Sequence, residues 1–279
     1  MVGEAQIAGE FGQVRGRPRE MDNGHVKITE YIDALRDQGD KLADAAGRAG
    51  LDAAVLPCVP WRVKDLLRHT GYIHRWAARH VTECPDTVLS GPPEDEILRG
   101  GAPDPDLLAW FRAGHAALVE TLSTADPGLR CATFMDAPSP LAFWARRQAH
   151  ETAIHRADAD FACGAFPAYL AEFAADGIDE LIMGFGQRRK YRPSADHVGS
   201  MQVRTTDTGD AWHVGTEDGR IQARRETAKD PAGCVVSGPA SGLYLFLWNR
   251  NDAVRAGVTI SGDPGFLSSW QSSVRVRWG

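Results

Sequence analysis

Three residues on apolar helical stripes carry the chemistry most worth following: His69, Glu151 and His155. Leu66, His69, Ile73 and Trp76 recur at spacings of three, four and three, which places them on one helix face. His69 therefore points with core residues. Leu141, Trp144, Gln148, Glu151, His155 and Asp158 share a second face, on which Glu151 and His155, four apart, are neighbours. Burying a carboxylate costs several kcal/mol unless it is paired or bound to a metal. Two imidazoles and one carboxylate are a ligand set for zinc, and three protein ligands leave one position open to water or substrate. The same set accepts nickel, cobalt or iron.

The other polar candidates are weaker. His115 lies between Phe111 and Leu118 on an apolar stripe and reads as a core histidine, at most supporting a metal site. The segment HETAIH invites comparison with HExxH, but its two histidines, His150 and His155, are five apart and face different sides. A zincin-type protease is excluded on that ground. His74, His80, His197 and His213 are expected to be structural or solvated. No G-x-S-x-G, G-x-G-x-x-G or P-loop is present. Cys58, within LPCVPW, reads as part of a packed loop. The arginine pairs at 146–147, 188–189 and 224–225 read as solvated faces, one of which could hold an acidic ligand. Arg250 ends the LYLFLWNR segment and is a candidate to grip a substrate carboxylate. It could equally be a helix C-terminal cation facing water. Trp61 and Trp76 are candidate walls of a cofactor pocket, with core packing as the competing role.

The elements that must position these side chains follow from periodicity. Residues 1–24 are rich in Gly, Arg and Glu without a repeat and read as a flexible tail. Helices are predicted over 26–48, over 61–81, after the DPD turn at 104–106, and over 140–159. A fifth runs over 167–185. Three strands follow, at 201–206, 211–216 and 220–225, joined by TGD and EDG turns in an antiparallel meander. Two short helices complete the chain. One opens at Gly238-Pro239; the other opens at Asp263-Pro264, an N-cap followed by a first-turn proline. The fold class expected is α+β: a four-helix bundle over 25–165 and a smaller α+β domain over 166–279.

Composition bounds the rest. The 279 residues are 43% hydrophobic, enough for a true core, with net charge −6 and a pI near 5.8 that argues against nucleic-acid binding. The longest strongly apolar run, 243–248, is far short of the roughly 20 residues a membrane span needs. No apolar segment near the N-terminus resembles a signal peptide. Five scattered cysteines without C-x-x-C exclude a disulfide framework and fit a reducing cytoplasm.

The same residues carry a resemblance. LPCVPWRVKDLLRHTGYIHRWAARHV resembles the second-helix signature of the mycothiol-dependent maleylpyruvate isomerase family, matching at Cys58, Trp61, Val63, Asp65, Leu66 and His69. Val59-Pro60 stands where that family usually has Pro-Gly. WARRQAHETAIHRADAD is similar to the family's fourth-helix signature, whose ligand positions fall on Glu151 and His155. VVSGPASGLYLFLWNR and VTISGDPGFLSSW resemble its second domain, so the likeness spans nearly the whole chain beyond residue 25. It implies a DinB-like bundle joined to a sterol-carrier-like α+β domain, a zinc ion and mycothiol as thiol cosubstrate. Separately, basic residues that are mostly arginine, with abundant Ala, Gly and Asp, point to a GC-rich, actinobacterial source. The function expected is a cytoplasmic enzyme in which zinc-bound thiolate attacks a small-molecule electrophile, giving S-transfer or cis–trans isomerisation. Neither nucleic acid nor membrane is an expected partner, and the chain is expected to be a monomer or weak homodimer. Two alternatives stand beside this: a non-enzymatic zinc-containing protein that binds a small molecule, and a thiol-independent metal hydrolase.

Overall fold

Apolar side chains recurring every three or four residues wind the first half of the chain into helices. The computed structural model describes residues 27–188, 191, 199–226 and 232–276; the expected tail at 1–24 and His197 lie outside them. Helix α1 (Ile28–Ala49) buries Ile32, Leu35 and Leu42, and α2 (Val63–Glu83) buries Leu66, Ile73 and Trp76. A short α3 (Glu94–Arg99) was not expected. It buries only Ile97, and six residues are too few to carry a periodic signal. Helix α4 (Leu107–Thr124) buries Phe111, Leu118 and Leu122. Helix α5 (Pro140–Ala162) is buried on nearly every side, from Trp144 and Ala149 to Asp158, which makes it the central helix.

Local chemistry sets the helix starts. Ser139 Oγ accepts the Ala142 N–H at 3.1 Å, with Pro140 in the first turn of α5. The Asp65 carboxylate accepts the Arg62 N–H at 2.8 Å ahead of α2. In the bundle α1 packs along α5 and α2 along α4, and α2 also flanks α5. This last contact sets two of the candidate ligands opposite the third.

Gly39 is among the glycines that close approach requires. A Cβ on Gly39 of α1 would lie 2.1 Å from His115 Nε2 on α4. That nitrogen sits 3.0 Å from the Leu35 carbonyl, so His115 is a satisfied core histidine, as its stripe suggested. Gly39→Ala is expected to destabilise the protein by about 1–3 kcal/mol in chemical denaturation, because the ring has nowhere to move. An unchanged midpoint would refute the close contact.

The second half forms around a sheet. Helix α6 (Ala171–Asp179) starts later than predicted and runs into a π-helical turn, Glu180–Phe185. Strands β1 (Ser200–Thr205), β2 (Ala211–Glu217) and β3 (Arg220–Arg225) form the expected antiparallel meander. Two further strands were not expected: β4 (Cys234–Gly238), parallel to β1, and β5 (Thr259–Gly262), antiparallel to β4. The sheet order is β3-β2-β1-β4-β5. Its inner face presents Met201, Val203, Trp212, Val214 and Val236 to one core with α7 (Ala240–Leu247) and α8 (Gly265–Ser273). Asp263 accepts the Gly265 N–H at 2.9 Å ahead of α8. The two halves meet in a polar contact, His150 Nδ1 lying 3.1 Å from the Tyr244 hydroxyl, and within the second half Trp248 Nε1 donates to the Gly177 carbonyl at 3.2 Å.

Candidate metal centre

Helices α2 and α5 bring His69, Glu151 and His155 together, with one ligand atom from each within 4.8 Å of the others. Glu151 Oε1 lies 3.1 Å from His155 Nε2 and 3.5 Å from His69 Nε2. Both imidazoles are buried, whereas Glu151 keeps partial access to solvent. Trp61, in the turn before α2, caps the group. Its ring lies 4.8 Å from that of His69 and 6.2 Å from that of His155.

A second tier of charges holds these side chains. His155 Nδ1 donates to Asp158 Oδ2 at 2.9 Å, which leaves Nε2 aimed at Glu151. Asp158 is completely buried and is clamped by Arg250, Nε to Oδ1 at 3.0 Å and Nη2 to Oδ2 at 3.2 Å. Arg250 also donates to the Trp248 carbonyl and lies 3.4 Å from Cys58 Sγ. The far oxygen of Glu151 accepts from Arg147 at 2.7 Å, and Arg147 in turn donates to the buried Glu180 of the π-helical turn.

Burial sets the electrostatics and the charged neighbours then decide them. Burial lowers the His69 pKa, so its ring is neutral and ready to ligate. Burial alone would raise Glu151, but hydrogen bonds from His155 and His69 and the Arg147 charge hold it well below the usual range. His155 is pushed up to about 9, because Asp158 and Glu151 outweigh the desolvation of its charged form. Asp158 is held down at about 2 against burial, chiefly by Arg250 and then by His155. The Cys58 thiol is pushed up to about 12 by burial and by the neighbouring Asp158 carboxylate.

The donor set fits a divalent cation. The Nε2 atoms of His69 and His155 both face Glu151 Oε1, so two imidazole nitrogens and one carboxylate oxygen meet at one point. The Asp158–His155 pair has the carboxylate–histidine arrangement that orients metal-binding imidazoles. Ligation requires His155 to lose the proton it holds below about pH 9 in the metal-free protein. The apparent metal affinity is therefore expected to rise about tenfold per pH unit from about pH 6 towards 9, one proton leaving per ion. Competition against a calibrated chelator checks the slope; a flat profile would exclude His155 as a ligand.

The structure places the other candidates plainly. Trp76 does not wall this site: it lies two turns along α2, packed 5.2 Å from Trp144, with its N–H donating to the Leu89 carbonyl. Arg250 is neither free to grip a substrate nor a solvated helix end, since its guanidinium is committed to Asp158. The pair Arg146–Arg147 is no solvated face: Arg146 binds Asp176 and Asp179, and Arg147 is almost fully buried. His150 faces away from His155, towards Asp176 at 2.8 Å. His74 pairs with Thr152, and His80 lies against the Trp76 carbonyl and the Leu89 N–H. The roles of Asp158 and Arg147 were missed. Their spacing offered a signal, since Asp158 follows His155 by three and Arg147 precedes Glu151 by four.

Two sequence profiles match the chain: the mycothiol maleylpyruvate isomerase N-terminal domain over residues 32–160, and the C-terminal domain of the same proteins over 172–268. The chain belongs to the mycothiol maleylpyruvate isomerase family. The three candidate ligands fall in the first family domain, and Arg250, which reaches back to Asp158, falls in the second. Among solved structures, that of the mycothiol-dependent maleylpyruvate isomerase superposes with a TM-score of 0.61 at 15% identity. A histidine-to-alanine mutant of it gives 0.62, also at 15% identity. Both comparisons cover 87% of this chain and 97% of the other, so the family's two-part α+β fold is shared across its length. No curated protein matches the chain by sequence. Among the described residues no helix is long and apolar enough to cross a membrane.

Proposed function

We propose that this family member is a metal-dependent enzyme that uses a low-molecular-weight thiol, mycothiol, to attack an electrophilic small molecule. The observation that carries the reading is the convergence of His69, Glu151 and His155 beneath Trp61. When bound there, a divalent cation such as zinc would lower the pKa of a thiol and favour its thiolate at neutral pH. The chain's own residues prepare the place. Asp158 fixes the His155 tautomer, Arg147 holds the far oxygen of Glu151, and Trp61 shields both imidazoles from water. Cys58, its thiol pushed up to about 12, stays protonated and does not compete as nucleophile.

Attack on a conjugated cis-alkene forms a carbon–sulfur bond and moves the π pair to the carbonyl oxygen. Rotation about the resulting single bond, return of the pair and expulsion of the thiolate give the trans isomer. If the enolate instead takes a proton from water and the thioether adduct is released, the outcome is S-transfer. The family and the likeness to the mycothiol-dependent maleylpyruvate isomerase support thiol chemistry of this kind. The division into a bundle domain over 25–165 and an α+β domain over 166–279 is part of the same proposal, as is a cytoplasmic location.

The test combines purified protein, zinc, mycothiol and either maleylpyruvate or an alkylating electrophile, with matched samples lacking thiol or containing a chelator. Turnover that needs both thiol and metal is expected. Turnover of an ester or amide with metal but no thiol would replace this reading by a hydrolase. A metal-containing protein without turnover of either kind would leave a binding protein.

A further inference from the structure

Five of the seven exposed large apolar side chains among the described residues sit on three segments, two of which wall a hollow in the surface. Leu56 and Val59 belong to the loop before α2, Phe166 and Leu170 to the link after α5, and Val254 to the loop after α7; they are 65–91% exposed. Scattered exposed apolar residues are ordinary, whereas a contiguous group around a hollow marks a binding surface. Side-chain contacts tie these segments together. Cys58 meets Arg250, Phe161 packs 5.8 Å from Phe166, and the Arg255 guanidinium stands 5.7 Å over the Phe166 ring.

Between the latter two segments lies a hollow of about 470 Å³, walled by Phe161, Phe166, Pro167, Leu245 and Ala256, with Arg255 at its edge. Its apolar floor is rigid, because α7 presses so closely on the Ala256 carbonyl that Gly242 admits no side chain. The hollow shares two elements with the supports of the centre: Phe161 follows Asp158 by one turn of α5, and Asn251, also in its wall, follows Arg250. Arg255 is largely exposed and its ion pair with Asp252 is long, 3.7 Å, so the cation is available to an anion.

We propose that this hollow holds the apolar body of an amphiphilic carboxylate and that Arg255 takes the carboxylate. As substrate, such an occupant would be an extended apolar acid rather than a compact dicarboxylate. Only the occupant's role as substrate rests on the function proposed above; the binding itself does not.

Calorimetric titration of the full-length protein with octanoate tests it. One site per chain is expected, weakened at least tenfold in Phe166→Glu and in Arg255→Glu. Both positions are exposed, and circular dichroism verifies their folding. Octanol is expected to bind at least tenfold more weakly than octanoate. His155→Ala is expected to bind octanoate as the wild type does, so loss of metal and loss of the hollow are read separately. Absence of saturable binding, or equal binding by both Glu variants, would overturn the proposal. Octanol binding as tightly as octanoate would overturn the part given to Arg255.

Discussion

Glu151→Gln is expected to reduce the zinc content of the purified protein from about one ion per chain to a trace, with affinity falling at least about a hundredfold. Glutamine keeps the shape of the side chain, so the packing of α2 against α5 and the cap of Trp61 stay in place. What changes is the negative charge that sits between two imidazoles, 3.1 Å from one and 3.5 Å from the other. Arg147 loses one carboxylate but retains Glu180, so the fold has a partner for that buried cation. Elemental analysis of the untagged wild type and variant decides the matter, with thermal melts of the metal-free forms as the control for folding. Equal metal in both would show that the ion sits elsewhere. No metal in the wild type, loaded or not, would show that the group is a polar core paired by hydrogen bonds.

Much of this centre is legible in the sequence, and the limits have physical causes. His69 stands out because a histidine on an apolar stripe must find a partner, and Glu151 with His155 stands out because their spacing makes them adjacent. That α2 lies beside α5, which turns two half-sites into one, is a tertiary fact that no spacing records. Arg250 illustrates the opposite error. Its place at the end of α7 suggested a solvated or substrate-binding cation, but it reaches across 92 positions to Asp158. Arg146 and Arg147 misled for a related reason. Charged pairs on helices are usually solvated, but α5 is covered on nearly every side, so both had to be matched by carboxylates from α6 and its π-helical extension. The meander of β1 to β3 was readable from its turns. Strands β4 and β5 are short, and β5 is exposed at the sheet edge, so neither carries a clean alternation.

The coupling between the two halves of the chain makes the second large prediction. Asp158→Asn leaves an isosteric side chain but withdraws the charge that both His155 and Arg250 lean on. Metal affinity is expected to fall about 10–100-fold, the usual cost of removing a carboxylate that orients a ligating imidazole. Stability is expected to fall as well, by about 2–4 kcal/mol, because Arg250, mostly but not fully buried, is left without its counter-charge. These effects are separable. Adding Arg250→Met to Asp158→Asn removes the unpaired cation and is expected to restore much of the stability while leaving metal affinity low. Denaturation midpoints and chelator competition on the two single variants and the double variant complete the cycle. If affinity returns along with stability, Asp158 acts only as a structural tie between the halves. If it stays low, the carboxylate aims His155 at the ion, and Arg250 from the second family domain acts on the centre through it.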